Sequence, residues 1–181
     1  MHKSVMEFVK ANLSPVEVLN QEVLEVGSKI YNGSVREFIN SLKPHCYLGI
    51  DMENGDGVDQ VMDVTDIERL LGKRAFDLVI STEMLEHCKE WKEAIYNMKS
   101  VLRPGGKIIL TTRSPGYPLH EYPFDHWRFT RSDMVNIFDD FYIRTLDDTQ
   151  AQGVFVVGVK PHDWVPNNLD NYEVERVGGK E

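Results

Sequence analysis

Glu22-Val23-Leu24-Glu25-Val26-Gly27-Ser28-Lys29 is the stretch whose reading decides the fold, because a β-prone apolar run stops there on a glycine and a polar turn. Asn32-Gly33 and then Ser34-Val35-Arg36-Glu37-Phe38-Ile39 continue as a turn feeding a helix with a serine at its start. Strand, glycine loop and helix make half of a βαβ unit. In open α/β sheets a ligand sits beyond the carboxyl ends of the strands, so Gly27 is expected to form the floor of a pocket.

Working outward, the amino-terminal side carries Val5, Met6, Phe8 and Val9 at near-helical spacing, and Ser14-Pro15 opens a second short helical segment, so residues 1–20 read as helical packing. On the other side, the helix over 34–42 stops at Lys43-Pro44, and Cys46-Tyr47-Leu48-Gly49-Ile50 gives a second strand closed by Asp51. Gln60 to Val64 reads as a third strand, Ile67 to Leu71 as a brief helix, and Phe76-Asp77-Leu78-Val79-Ile80 as a fourth strand buried on both faces. Leu85, Trp91, Ile95, Met98 and Leu102 place a helix within 84–102, which Arg103-Pro104-Gly105-Gly106 ends before a fifth strand from Lys107 to Thr112. Residues 114–130 lose all periodicity and read as a long functional loop. Ser132 to Phe138 is a further helix, and Phe141 to Leu146 and Val154 to Lys160 are the last strands. A Gln152-Gly153 hairpin between those two would make one edge strand antiparallel. From Pro161 the sequence is polar, and residues 161–181 are expected to be ordered only in part.

The alternation predicts an α/β sheet of seven mostly parallel strands with helices on both faces and the last strand antiparallel. At 181 residues and 41% apolar side chains the chain suits a single domain over 1–181. A formal charge of −9 argues against a nucleic-acid partner, whose phosphates call for lysine and arginine. No window reaches the ~20 apolar residues of a membrane span, and no leader-like run is present, so a cytoplasmic protein is expected. Cys46 and Cys88 form neither a disulfide framework nor a zinc spacing, and buried thiols are expected at both. Asn54-Gly55-Asp56-Gly57 lacks the ligand alternation of a calcium loop and reads as a turn, and no metal motif is apparent elsewhere.

Five pieces in order carry a resemblance: Val23 to Ser28, Gly49-Ile50-Asp51, Asp63-Val64, Phe76 through Ser81-Thr82-Glu83-Met84-Leu85-Glu86-His87, and Leu102 to Lys107. Over residues 20 to 160 the chain resembles a class I S-adenosylmethionine-dependent methyltransferase of the small kind built almost only from the catalytic core, which implies a Rossmann-like fold, S-adenosyl-L-methionine as cofactor and a small-molecule acceptor. The resemblance implies that Glu25 holds the amino group of the donor, Gly27 and Ser28 its methionine end, and Asp51 the ribose hydroxyls beside Met52. It also implies that Asp63 and Val64 meet the adenine and that Ser81 and Thr82 border the donor. Lys29 and Gly33 belong to a first loop that departs from the family pattern, and Lys29 is read either as a carboxylate contact or as a solvent-facing side chain. Capping a helix is the rival role for Asp63.

Glu83, Tyr122, Trp127 and Arg128 are expected to face the acceptor, with His87 and Asp125 as candidate bases. Two readings stay open for the loop Leu119 to Thr130. It is a substrate wall, or it is scaffold in which Trp127 and Phe129 pack, Arg128 pairs with Asp125 and Thr130 caps the next helix. A merely structural His87 also stays open, as do a non-catalytic or regulatory donor-binding protein and a nicotinamide-dependent oxidoreductase. The acceptor atom and the oligomeric state are not legible.

Overall fold

The computed structural model describes residues 2–120, 124–149 and 152–178. Its helices are α1 (Lys3–Ala11), α2 (Arg36–Ser41), α3 (Ile67–Leu71), α4 (Trp91–Val101) and α5 (Arg131–Ile137). Its strands are β1 (Glu22–Val26), β2 (Cys46–Asp51), β3 (Gln60–Val61), β4 (Phe76–Thr82), β5 (Leu102–Arg113), β6 (Trp127–Arg128), β7 (Tyr142–Asp147), β8 (Gly153–Val159) and β9 (Glu175–Arg176). No described helix is long and apolar enough to cross a membrane.

Seven strands form one sheet in the order β3-β2-β1-β4-β5-β8-β7. The first five are parallel to their neighbours, and β8 runs antiparallel to both β5 and β7. The expected fold is therefore present, with the reversed strand where the sequence places it. One detail differs: β8 lies inside the sheet, between β5 and β7, and β7 is the edge. The few residues between β7 and β8 allow only a hairpin, since a parallel return needs a crossover of about a dozen residues or more.

Each central strand is apolar on both faces. Val23, Leu78, Ile80, Ile109, Phe155 and Val157 pack with Val5, Phe8 and Val9 of α1 and Ile39 of α2. Leu24, Val79, Ile108, Leu110, Val154 and Val156 pack on the other side, with α3, α4 and α5. Phe76 joins this second face although Leu78 points to the first, because the register slips between them. Truncating a fully buried residue such as Leu24 to alanine would cost about 2–5 kcal/mol.

The polar segment from Pro161 is not loosely held over its described part. Trp164, Leu169, Tyr172 and Val174 pack onto the α3–α5 core, and β9 pairs with β6. Trp164 donates to Asp140 at 2.8 Å, Lys92 donates to the Asp170 carbonyl at 2.9 Å, and the Tyr172 hydroxyl donates to Asp133 at 2.8 Å. The segment is anchored by amphipathic side chains whose apolar bodies reach the core while their polar tips find partners, a pattern that average polarity hides. Lys160, at its root, is buried and donates to the carbonyls of Lys99, Ser100 and Leu102 at 2.7, 3.2 and 2.8 Å, closing the carboxyl end of α4. Of the two thiols expected to be buried, Cys88 is half-buried but Cys46 is exposed, because it stands at the first position of β2, outside the core.

Candidate active site at the carboxyl ends of the strands

β1 ends where Gly27 turns the chain at φ +78°, and a Cβ there would fall 2.7 Å from the side chain of Met84. Only glycine meets both demands. The amides of Gly27 and Ser28 both donate to the Ile50 carbonyl, at 2.9 and 3.0 Å, so the loop is tied to the end of β2. Glu25 sits one turn of the pleat earlier, 3% exposed, and accepts from the Tyr47 hydroxyl. Burial pushes its carboxyl up to about 7, against the Tyr47 hydrogen bond that pulls it down. The Tyr47 hydroxyl is itself raised, by burial and then by the charge of Glu25.

Behind this pair stands a group that sequence reasoning missed. The Arg36 guanidinium lies over the Tyr47 ring at 4.6 Å and reaches both oxygens of Asp59, at 3.1 and 2.7 Å, and the Gly57 carbonyl at 2.6 Å. Asp59 also accepts the Gly49 amide at 2.7 Å, so α2 and the loop after β2 are locked to each other beside Glu25. No spacing links positions 36, 47 and 59, and only the fold brings them together.

Asp51 closes β2 half-buried, its two oxygens accepting the amides of Lys29 at 3.2 Å and Glu53 at 3.1 Å. Asp63, just past β3, caps the turn at Val64–Asp66 by accepting from the amide and hydroxyl of Thr65 at 2.9 and 2.8 Å, the rival role that its sequence context offered. Val64 is buried in that turn. The hydroxyls of Ser28 and Ser81 are buried with no hydrogen-bond partner among the described residues, and Thr82 ends β4 half-buried. Lys29, Met52 and Gly33 lie further out. Lys29 pairs with Glu53 at 2.5 Å and lies over the Tyr31 ring, Met52 is 74% exposed, and Gly33 sits in an exposed bend at φ +110° before α2.

Across Met84 begins the second half of the cleft. Glu83 takes φ +57°, and its carboxylate accepts from the Thr111 hydroxyl at 3.1 Å and pairs with Arg113. Glu86 is fully buried. One of its oxygens accepts from the Thr112 hydroxyl at 2.8 Å, while the other makes no hydrogen bond among the described residues, with Arg113 and His87 nitrogens both 3.9 Å away. Burial, then the charge of Glu83, push the Glu86 carboxyl up to about 7. His87 Nδ1 lies 3.1 Å from the Phe124 carbonyl, an atom that can only accept, so this bond places the ring proton on Nδ1. His120, named in no role from sequence, stacks edge-on against His87 with ring centroids 4.7 Å apart.

Asp125 and Arg128 have no exposure at all. Arg128 grips both Asp125 oxygens at 2.5 and 2.7 Å and donates to the carbonyls of Tyr117, Pro118 and Trp127. Asp125 also accepts the His120 amide at 2.9 Å. Burial raises its carboxyl, but the Arg128 hydrogen bonds and the His120 amide outweigh that and hold it below the ordinary value. A saturated, acid-shifted carboxylate is a poor base, and this geometry buries Asp125 and Arg128 against each other. Trp127 points away as well. Its indole donates to the Cys88 carbonyl at 2.9 Å, and its ring faces a groove shared with Lys89, Glu173 and Arg176. Phe129 packs edge-on against Trp91 at 5.5 Å, and Thr130 caps α5 through a box with Asp133. Tyr122 lies outside the described residues.

A family profile described as a methyltransferase domain matches residues 2–148. No curated protein matches the sequence. Among solved structures, an S-adenosylmethionine dependent methyltransferase from Mesorhizobium loti superposes with a TM-score of 0.65 at 16% identity, over 85% of this chain and 96% of that one. The Burkholderia thailandensis 1,6-didemethyltoxoflavin-N1-methyltransferase gives 0.65 at 12% identity, over 88% and 77%. The [4+2]-cyclase SpnF gives 0.68 at 15% identity, over 87% and 81%. Likeness at such identities speaks for the fold alone.

Proposed function

This chain belongs to the methyltransferase-domain family, and on that premise we propose that its strand-end cleft moves the methyl group of S-adenosylmethionine to a small polar acceptor. The observation that carries this reading is the placement of Glu25 in β1, Asp51 at the end of β2 and Asp63 just past β3, on neighbouring strands beside the Gly27 turn. Carboxylates without a phosphate-binding fingerprint suit a donor that carries two positive centres, a ribose and an adenine, and no phosphate. The residues fit that donor. Each Asp51 oxygen accepts one amide and keeps capacity for a ribose hydroxyl, and Glu25 is a carboxyl able to answer an ammonium. Asp63 retains an oxygen beyond its cap for the adenine amine. Because the Gly27 and Ser28 amides are already spent on Ile50, this loop offers close backbone approach instead of amide hydrogen bonds.

When bound, the donor supplies an electrophilic methyl on sulfur. The chain's own part is positioning: Met84 lies on Gly27 between the donor acids and the Glu83–His87 wall, so it lines the path from donor to acceptor. His87, its ring held by the Phe124 carbonyl, belongs to that wall on the acceptor side. The net charge of −9 supports a small molecule over nucleic acid as acceptor.

The experiment is incubation with methyl-labelled S-adenosylmethionine and fractionated cell metabolites, beside calorimetry with the donor and its demethylated product. Label in a low-molecular-weight product is expected. A folded protein that binds neither ligand overturns the reading, and binding without transfer to any fraction moves it to the donor-binding, non-catalytic alternative, which the fold alone does not exclude.

A further inference from the structure

We propose that Glu86, His87 and His120 form a binding site for a divalent transition-metal ion on the acceptor side of the cleft. Each offers one ligand atom, and the three atoms lie within 4.8 Å of one another. Two imidazoles and a carboxylate are the nitrogen and oxygen set that zinc and its neighbours take, with positions left over for water or another oxygen. The site is invisible as a spacing because Glu86 and His87 follow β4 while His120 comes from the loop after β5.

Three independent features point to an ion. Glu86 is fully buried, yet one of its oxygens has no hydrogen bond among the described residues, which costs free energy unless a cation completes it. His87 is held from behind as a metal-bound imidazole is, and His120 has a carboxylate beside its ring. His87 gives its Nδ1 proton to the Phe124 carbonyl, and His120 Nδ1 lies 3.0 Å from Asp125, which Arg128 fixes in turn. The contact between His120 and Asp125 is an ion-pair approach off the line of a hydrogen bond. The charge also suits a cation: among the described residues, the permanently charged partners of Glu83, Glu86 and Asp125 are Arg113 and Arg128, and Arg113 is engaged by Glu83 and by the Tyr117 ring at 4.0 Å.

The same arrangement gives the Asp125–Arg128 pair a task that a substrate wall does not explain, since it orients a metal ligand from the second rank. If the methyl-transfer reading holds, the ion selects acceptors whose hydroxyl oxygen can join its coordination sphere, where the hydroxyl becomes more acidic. Metal binding itself does not depend on that reading.

The test uses the full chain after chelator treatment, titrated with Zn²⁺ by calorimetry and with Co²⁺ by visible absorption, thermal unfolding being recorded for every variant. One ion per chain is expected, with cobalt bands, and with affinity reduced more than about tenfold in both His87→Ala and His120→Ala. His45→Ala, at an exposed site before β2, should bind as the wild type does. Folded wild-type protein that binds no zinc overturns the proposal, and so does zinc binding that both cleft histidine variants keep. Donor calorimetry on the same samples separates the two readings, because zinc binding without donor binding removes methyl transfer and keeps the site.

Discussion

Glu25 offers the most quantitative test of the donor site. Its buried carboxyl titrates near 7 instead of its ordinary 4.5, so close to neutrality the ligand-free protein carries it partly protonated. An ammonium placed beside it favours the carboxylate, and binding must therefore expel a proton. If binding returns the group to its ordinary value, about 0.9 proton is released at about pH 6 and about 0.5 at about pH 7, and affinity rises about fivefold, or about 1 kcal/mol, between them. The assay is titration calorimetry with S-adenosylmethionine in buffers of different ionisation enthalpy, on wild type and Glu25→Gln. The glutamine variant should bind more weakly and release almost no proton over this range. Stability carries the same signature: a raised carboxyl pKa contributes stability fully below about 4.5, lost as pH rises through about 7, and Glu25→Gln should flatten that fall. Equal proton release in the two proteins would refute the assignment and throw the titration onto a histidine.

Asp51→Ala should weaken donor binding by about 1.5–3 kcal/mol at unchanged melting temperature, because the proposed site gives its oxygens to the ribose while in the free protein they hold only two loop amides; calorimetry with a thermal scan checks both. Arg128→Ala strands the fully buried Asp125 and should lower stability by about 3–5 kcal/mol, read by denaturant unfolding, and an unchanged midpoint would mean that the pair is not closed in solution. Trp164→Ala removes the ring that covers the Lys160 ammonium at 4.0 Å together with the hydrogen bond to Asp140, and should cost about 2 kcal/mol or more in the same assay. A loss near zero there would mean that Trp164 does not anchor the segment after Lys160.

The fold was legible because its signals are local and redundant. Each parallel strand is a short apolar run ending on a turn residue, and Gly27, Asp51 and Asp63 mark three strand ends in order. Partners that meet only through topology were not legible. Arg36 finds Tyr47 and Asp59 across two elements, and His120 meets Glu86 and His87 across the gap between β4 and β5, so no window of sequence contains either group. The loop from Leu119 left two readings open, because an arginine three residues after an aspartate is equally at home in a buried pair and in a binding wall. Burial is what distinguishes them, and it is not written in the spacing. Residues 161–178 are a related case, since a segment with few apolar residues is anchored when Trp164, Leu169 and Tyr172 fall where the core is open.

The interior place of β8 has a consequence for how this chain is made. As it leaves the ribosome, the chain completes five parallel strands by Arg113, but β5 keeps a bare, apolar edge until Gly153–Val159 has been synthesised to cover it. During that interval the half-built sheet offers a template for pairing with another nascent chain. Val154, Phe155, Val156 and Val157, the run that closes the edge, are also the residues that complete both cores at once. Slow codons or pauses placed between 113 and 153 would lengthen the vulnerable interval, so yield on expression should respond to translation speed there more than to equal changes elsewhere in the coding sequence.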